Sequence, residues 1–102
     1  CLKGIKAPNV ISLYLHGNNI TDISPLASIT TLRNLHLEGN NITDISPLKG
    51  LINLTDLELG YNKIIDINPL SKLTSLSWLN LLKNQIKDFV PIKHLGIRNI
   101  YK

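Results

Sequence analysis

The 102-residue chain is poor in the residues with which most domains vary their cores: Phe and Trp occur once each, Tyr three times and Met never. A single cysteine, Cys1, excludes an intramolecular disulfide framework and a cysteine-rich zinc site. No apolar run approaches the roughly 18–20 residues that a membrane-spanning helix needs. Charge is also sparse. Eleven Lys and Arg against seven Asp and Glu give +4, which permits an acidic partner without requiring one. The signatures of catalysis are missing too. Ser, His and Asp are present, but there is no G-x-S-x-G elbow, no H-E-x-x-H helix and no phosphate-cradling glycine loop. The chain therefore reads as non-enzymatic and without a cofactor.

In place of variety there is repetition. Leu, Ile and Asn contribute 19, 15 and 12 residues, and so much Leu and Ile excludes an intrinsically disordered chain. They fall on an offset of 22: Asn18, Asn40, Asn62 and Asn84 keep it, as do Asp22, Asp44, Asp66 and Asp88, and Pro25, Pro47, Pro69 and Pro91. Leu13, Leu35, Leu57 and Leu79 share the period, and so do Leu15, Leu37, Leu59 and Leu81. Such a period marks a solenoid in which each unit packs only on its neighbours. The expected organisation is a single domain over 1–102. A partial repeat at 1–9 is followed by repeats at 10–31, 32–53, 54–75 and 76–96 and by a partial repeat or edge strand at 97–102.

Each unit opens with L-x-x-L-x-L, as in Leu54-Thr55-Asp56-Leu57-Glu58-Leu59. Its last three residues alternate in, out, in, the period of a short strand. Strands joined by a long return connection must be parallel. The Asn that follows has two donors and an acceptor for backbone groups exposed where the chain turns off the sheet. Stacked, these residues form a ladder inside the coil. The Asp column is expected to accept hydrogen bonds from backbone N–H groups rather than to do acid–base chemistry. Ser24-Pro25, Ser46-Pro47 and Asn68-Pro69 read as a helix cap followed by Pro at the first helical position. Little chain remains before the next strand, so a 3₁₀ turn or very short helix is expected. Val90 holds the cap position in the fourth unit, so that turn should be the loosest. Leu2-Lys3-Gly4-Ile5 matches Leu48-Lys49-Gly50-Leu51, and Ile97–Lys102 matches Leu76–Leu81 with one residue deleted. Without obvious caps, the array reads as minimally capped or as a piece of something larger, and Cys1 as a fragment start rather than a lipid-bearing terminus.

These residues resemble a leucine-rich repeat of the 22-residue class. The D-I-S-P-L stretches at 22–26 and 44–48, with D-I-N-P-L at 66–70, are similar to those of the internalin family of bacterial surface proteins. The resemblance implies an α/β solenoid with short parallel strands on the concave face and 3₁₀ or short helical turns on the convex face. It also implies protein binding by the concave sheet, as in adhesion or recognition of a host protein, at a bacterial cell surface or after secretion. An intracellular scaffold similar to the phosphatase-regulator type, with a cytoplasmic location, is the alternative setting.

Positions that specify the fold carry no functional information, so function is sought in the variable solvent-facing ones. One column reads Ser12, Asn34, Asp56, Trp78, Asn99, and another Tyr14, His36, Glu58, Asn80, Tyr101. Trp and Tyr are common interface anchors. The predicted protein-binding patch is therefore Tyr14, His36, Asp56, Glu58, Tyr61, Trp78, Leu82 and Tyr101; the competing reading is that rim aromatics only cover the sheet edge. Cations on this face (Arg33, Lys83, Arg98) balance Glu38, Asp56 and Glu58, while Lys3, Lys49, Lys72 and Lys93 lie opposite. A nucleic-acid reader would combine cations and aromatics on one surface, so nucleic acid is not an expected partner. His16, His36, Glu38 and Glu58 form a weaker candidate set for a divalent metal, against which stand two solvent-screened His–Glu pairs. Open edges at Ile11–Leu15 and Ile97–Lys102 make edge-to-edge self-association a further expectation.

Overall fold

The computed structural model describes residues 11–102. Cys1, the partial repeat at 1–9 with Lys3, and Val10 lie outside the described residues. Five three-residue strands form one parallel sheet in sequence order: β1 (Ser12–Tyr14), β2 (Asn34–His36), β3 (Asp56–Glu58), β4 (Trp78–Asn80) and β5 (Asn99–Tyr101). Four 3₁₀ turns line the opposite side, at Ser24–Ser28, Asn68–Leu70, Ser46–Leu48 and Val90–Leu95. The strands are centred one residue earlier than the sequence pattern suggests. The ladder nevertheless runs on, with Leu37 N–H bonded to Glu58 C=O at 2.9 Å and Leu59 N–H to Asn80 C=O at 2.9 Å.

The register is the repeat itself. Leu13, Leu35, Leu57, Leu79 and Ile100 are paired across successive strands. Because strand side chains alternate, this column points inward, and Leu35, Leu57 and Leu79 have no exposed surface. From the other side Leu26, Leu48, Leu70 and Ile92 enter from the 3₁₀ turns and complete the core. Phe89, the one Phe, is half-buried against the same core.

Between sheet and turns the asparagines close the coil. Asn40 Oδ1 accepts the N–H groups of Asn18 and Ile20, both at 2.9 Å, and its amide donates to Leu15 and Leu37 carbonyls. Asn62 accepts from Ile42 N–H and donates to Leu37, Leu59 and Gly60 carbonyls. Asn84 repeats the pattern with Ile64, Leu59 and Leu81. Each side chain thus satisfies its own turn and the preceding repeat.

The turns themselves are capped differently from expectation. Ser24, Ser46 and Asn68 begin the 3₁₀ turns, and no side-chain cap bond is made at the flanking Ile23, Ile45 and Ile67. The carboxylates two residues upstream do the work: Asp22, Asp44 and Asp66 each accept the N–H of Ser24, Ser46 or Asn68 at 2.9 Å. Asp88 likewise accepts Val90 N–H at 3.0 Å, and the fourth turn is the longest of the four, six residues. Val90 therefore does not deprive the fourth turn of this bond, since the capping atom belongs to Asp88. At Asp44 the Ser46 hydrogen bonds, backbone first and side chain second, hold the carboxyl below its ordinary value.

Two outcomes follow. Asn62→Ala would strand an Ile42 N–H and several carbonyls in a dry interior, so it should cost about 2–4 kcal/mol in urea unfolding; a change within error would refute the bridging role. Asp44→Ala should lower Tm at neutral pH. Its folded carboxyl titrates below the unfolded one, so its contribution is present above the unfolded value and lost as pH falls through the folded one. The Tm gap to wild type should accordingly close on acidification toward pH ~3.

Candidate functional site

The outward columns of the sheet are as the period requires. Ser12, Asn34, Asp56, Trp78 and Asn99 are neighbours in one row, and Tyr14, His36, Glu58, Asn80 and Tyr101 in the next. At about 4.8 Å per strand, the face from β1 to β5 spans roughly 19 Å. The predicted patch residues all lie on it or on its exit corner, but they form separate groups. At one end the Tyr14 and His36 rings meet edge to face, 4.6 Å between centroids. At the other, Trp78 and Tyr101 pack at 5.5 Å with their planes tilted by 56°. Tyr101 and Tyr14 are exposed, while Trp78 is half-buried.

The corner where the chain leaves the sheet adds a feature that the sequence pattern did not reveal. The eighth position of each unit has a left-handed backbone: Gly17 (φ 68°), Gly39 (φ 73°), Tyr61 (φ 58°) and Lys83 (φ 60°). Glycine adopts this conformation freely, whereas an L side chain pays roughly 1–2 kcal/mol. In the third unit the strained residue is a tyrosine that is 59% exposed. Its N–H is bonded to Leu82 C=O at 2.8 Å, which sets it beside another exposed apolar residue. Tyr61, Leu82, Trp78 and Tyr101 thus gather on the third to fifth units. The column of glycine, tyrosine and lysine was a visible signal, but only the dihedral angles give it meaning.

Between the two aromatic ends lies an acidic centre. His36, Glu38 and Glu58 bring ligand-type atoms within 4.8 Å of one another. His16, predicted as a fourth member, lies outside this group and is exposed. His36 Nδ1 is 4.0 Å from Glu38 Oε1, the limit of an ion pair. Burial pushes the Glu58 carboxyl above its ordinary value; a hydrogen bond from Asn80 opposes this, the Glu38 charge reinforces it and His36 opposes it. Asn80 can fold over this centre because position 60 is glycine. A Cβ there would stand 3.2 Å from the Asn80 amide nitrogen. On the convex side, Lys49, Lys72 and Asp66 border a shallow depression of about 410 Å³. The Asp66 carboxylate in it is already bonded to Asn68.

Short parallel strands in one sheet, 3₁₀ turns opposite and an asparagine column between them define a leucine-rich repeat. Family models described as leucine-rich repeats match residues 8–50 and 30–86, and the chain belongs to that family. Within it the likeness is to internalins. Internalin C2 of Listeria monocytogenes is 41% identical over 91% of this chain and 42% of its own, with a TM-score of 0.89. InlF of the same species is 38% identical over 90% of this chain and 27% of its own, with a TM-score of 0.87. InlJ, also from that species, is 33% identical over 76% of this chain and 17% of its own, with a TM-score of 0.72; its functional domain includes a cysteine ladder. This chain, with one cysteine, has none. The chain spans less than half the length of these structures. No curated protein matches it. No helix among the described residues is long and apolar enough to cross a membrane.

If the backbone at position 61 is strained by its side chain, Tyr61→Gly should stabilise the fold by roughly 0.5–1 kcal/mol, the relief exceeding the entropy cost of glycine. Tyr61→Val should do the reverse. A destabilised glycine variant in thermal unfolding would contradict the strain.

Proposed function

We propose that this chain is a non-enzymatic protein-recognition module whose sheet face receives a protein partner, in the setting of bacterial surface adhesion or recognition of a host protein. The observation that carries the reading is Tyr61. A bulky side chain displayed to solvent where the first two units have glycine is strain that the left-handed turn itself does not require, and such strain concentrates at functional sites. Its neighbours fit the same role. Trp78 and Tyr101 offer a rigid aromatic pair, and Leu82 adds apolar surface beside them. Aromatic anchors of this kind dominate protein interfaces because they bury large area at small entropy cost. The likeness to Listeria internalins supports the surface setting.

A pulldown from host-cell and same-cell lysates should capture a partner with the wild-type chain. Trp78→Ala should weaken the identified complex by at least about 30-fold, corresponding to loss of a hot spot of about 2 kcal/mol, with circular dichroism and Tm unchanged. An identified partner that binds Trp78→Ala with wild-type affinity would remove this patch as the contact surface.

A further inference from the structure

The acidic centre is not explained by protein recognition through aromatics. Its three side chains come from adjacent strands by simple geometry. His36 and Glu38 are two residues apart, so they share a face, and Glu58 is the direct register partner of His36. Two like-charged carboxylates are thereby brought beside one imidazole. Glu38 Oε1 and Glu58 Oε1 each expose less than 1 Å² and have no hydrogen-bond partner. A shielded carboxylate oxygen without a hydrogen bond is costly, and here there are two, both belonging to the same cluster. Neighbouring side chains flank the ligand-bearing groups: the Tyr14 ring packs edge-on against His36, and the Asn80 side chain is hydrogen-bonded to Glu58.

We propose that His36, Glu38 and Glu58 form a binding site for a divalent transition-metal ion of the zinc class on the sheet face. The donor set decides the class. One imidazole and two carboxylates suit Zn²⁺ and its neighbours, whereas Ca²⁺ and Mg²⁺ take all-oxygen sets and copper(I) takes thiolates. A tetrahedral zinc with bonds of ~2.0–2.1 Å places its ligand atoms ~3.3 Å apart. His36 Nδ1 and Glu38 Oε1 stand at 4.0 Å and all three ligand atoms within 4.8 Å of one another, so metal binding requires the part-exposed side chains to draw in by about 1 Å. Three protein ligands leave a fourth position open, as in zinc sites that accept an external ligand. The inference does not rest on the protein-recognition reading, since metal binding is measured on the isolated chain.

Calorimetry with zinc chloride on the Cys1→Ser chain, which removes the thiol as a competing ligand, should give one ion per chain and a raised Tm. His36→Ala and Glu58→Gln should each weaken binding at least about tenfold, while His16→Ala and His94→Ala leave it unchanged. Circular dichroism of the metal-free variants checks their fold, and Glu58→Gln preserves shape while removing the ligand charge. No heat above buffer, or binding that survives His36→Ala at full affinity, would overturn the proposal. So would loss of binding in His16→Ala or His94→Ala alone.

Discussion

Each buried asparagine of this solenoid is hydrogen-bonded to two repeats at once, and the stacking of the repeats rests on that. A strand of three residues cannot satisfy its own backbone, and the turn that follows exposes further N–H and C=O groups to the interior. An amide supplies an acceptor and two donors in a side chain small enough to fit there. Asn62 takes the Ile42 N–H of one repeat and the Leu59 carbonyl of its own, so neither repeat is complete without the other. The leucine column then fills the space that this frame leaves. Hydrophobic burial supplies most of the stabilisation, but it is non-directional. Direction comes from the asparagines, which hold consecutive turns in one register.

That division frees the outer face. Once leucine and asparagine specify the coil, residues such as Trp78 and His36 have little influence on whether the chain folds. The face can therefore hold groups that a compact domain would avoid. It carries a tyrosine on a left-handed backbone, a part-exposed aromatic pair at each end and two carboxylate oxygens without a hydrogen bond. The aromatic groups and the acidic centre adjoin: His36 belongs to both, and Glu58 and Trp78 stand on neighbouring strands. They are different chemical surfaces that share one rigid sheet.

Much of this was legible from spacing alone. The offset of 22 predicts the parallel register residue by residue, because equal positions in a solenoid become lateral neighbours. It also placed the Asp column on backbone N–H groups. The cap was misread because Ser-Pro is a familiar helix start, whereas a 3₁₀ turn is capped here by Asp two residues earlier. His16 was grouped with His36 because strand spacing alone counts neighbours without asking where an exposed edge side chain turns. The strain at Tyr61 was signalled only by the glycines at the same position of the first two units, and the dihedral angles were needed to read it.

The amino-acid sequence by itself determined the period, the inward columns, the asparagine ladder and therefore the family. Those follow from which residues recur, and recurrence is a property of the one-dimensional chain. Only the tertiary structure decided which outward residues meet. It set Trp78 against Tyr101, which is not its register partner, turned Tyr14 edge-on to its neighbour His36, and left His16 out of the group that His36 forms with Glu38 and Glu58. The reason is physical. Inward positions are constrained by close packing, which allows one arrangement, whereas outward side chains settle by local contacts between particular neighbours that no repeat pattern encodes.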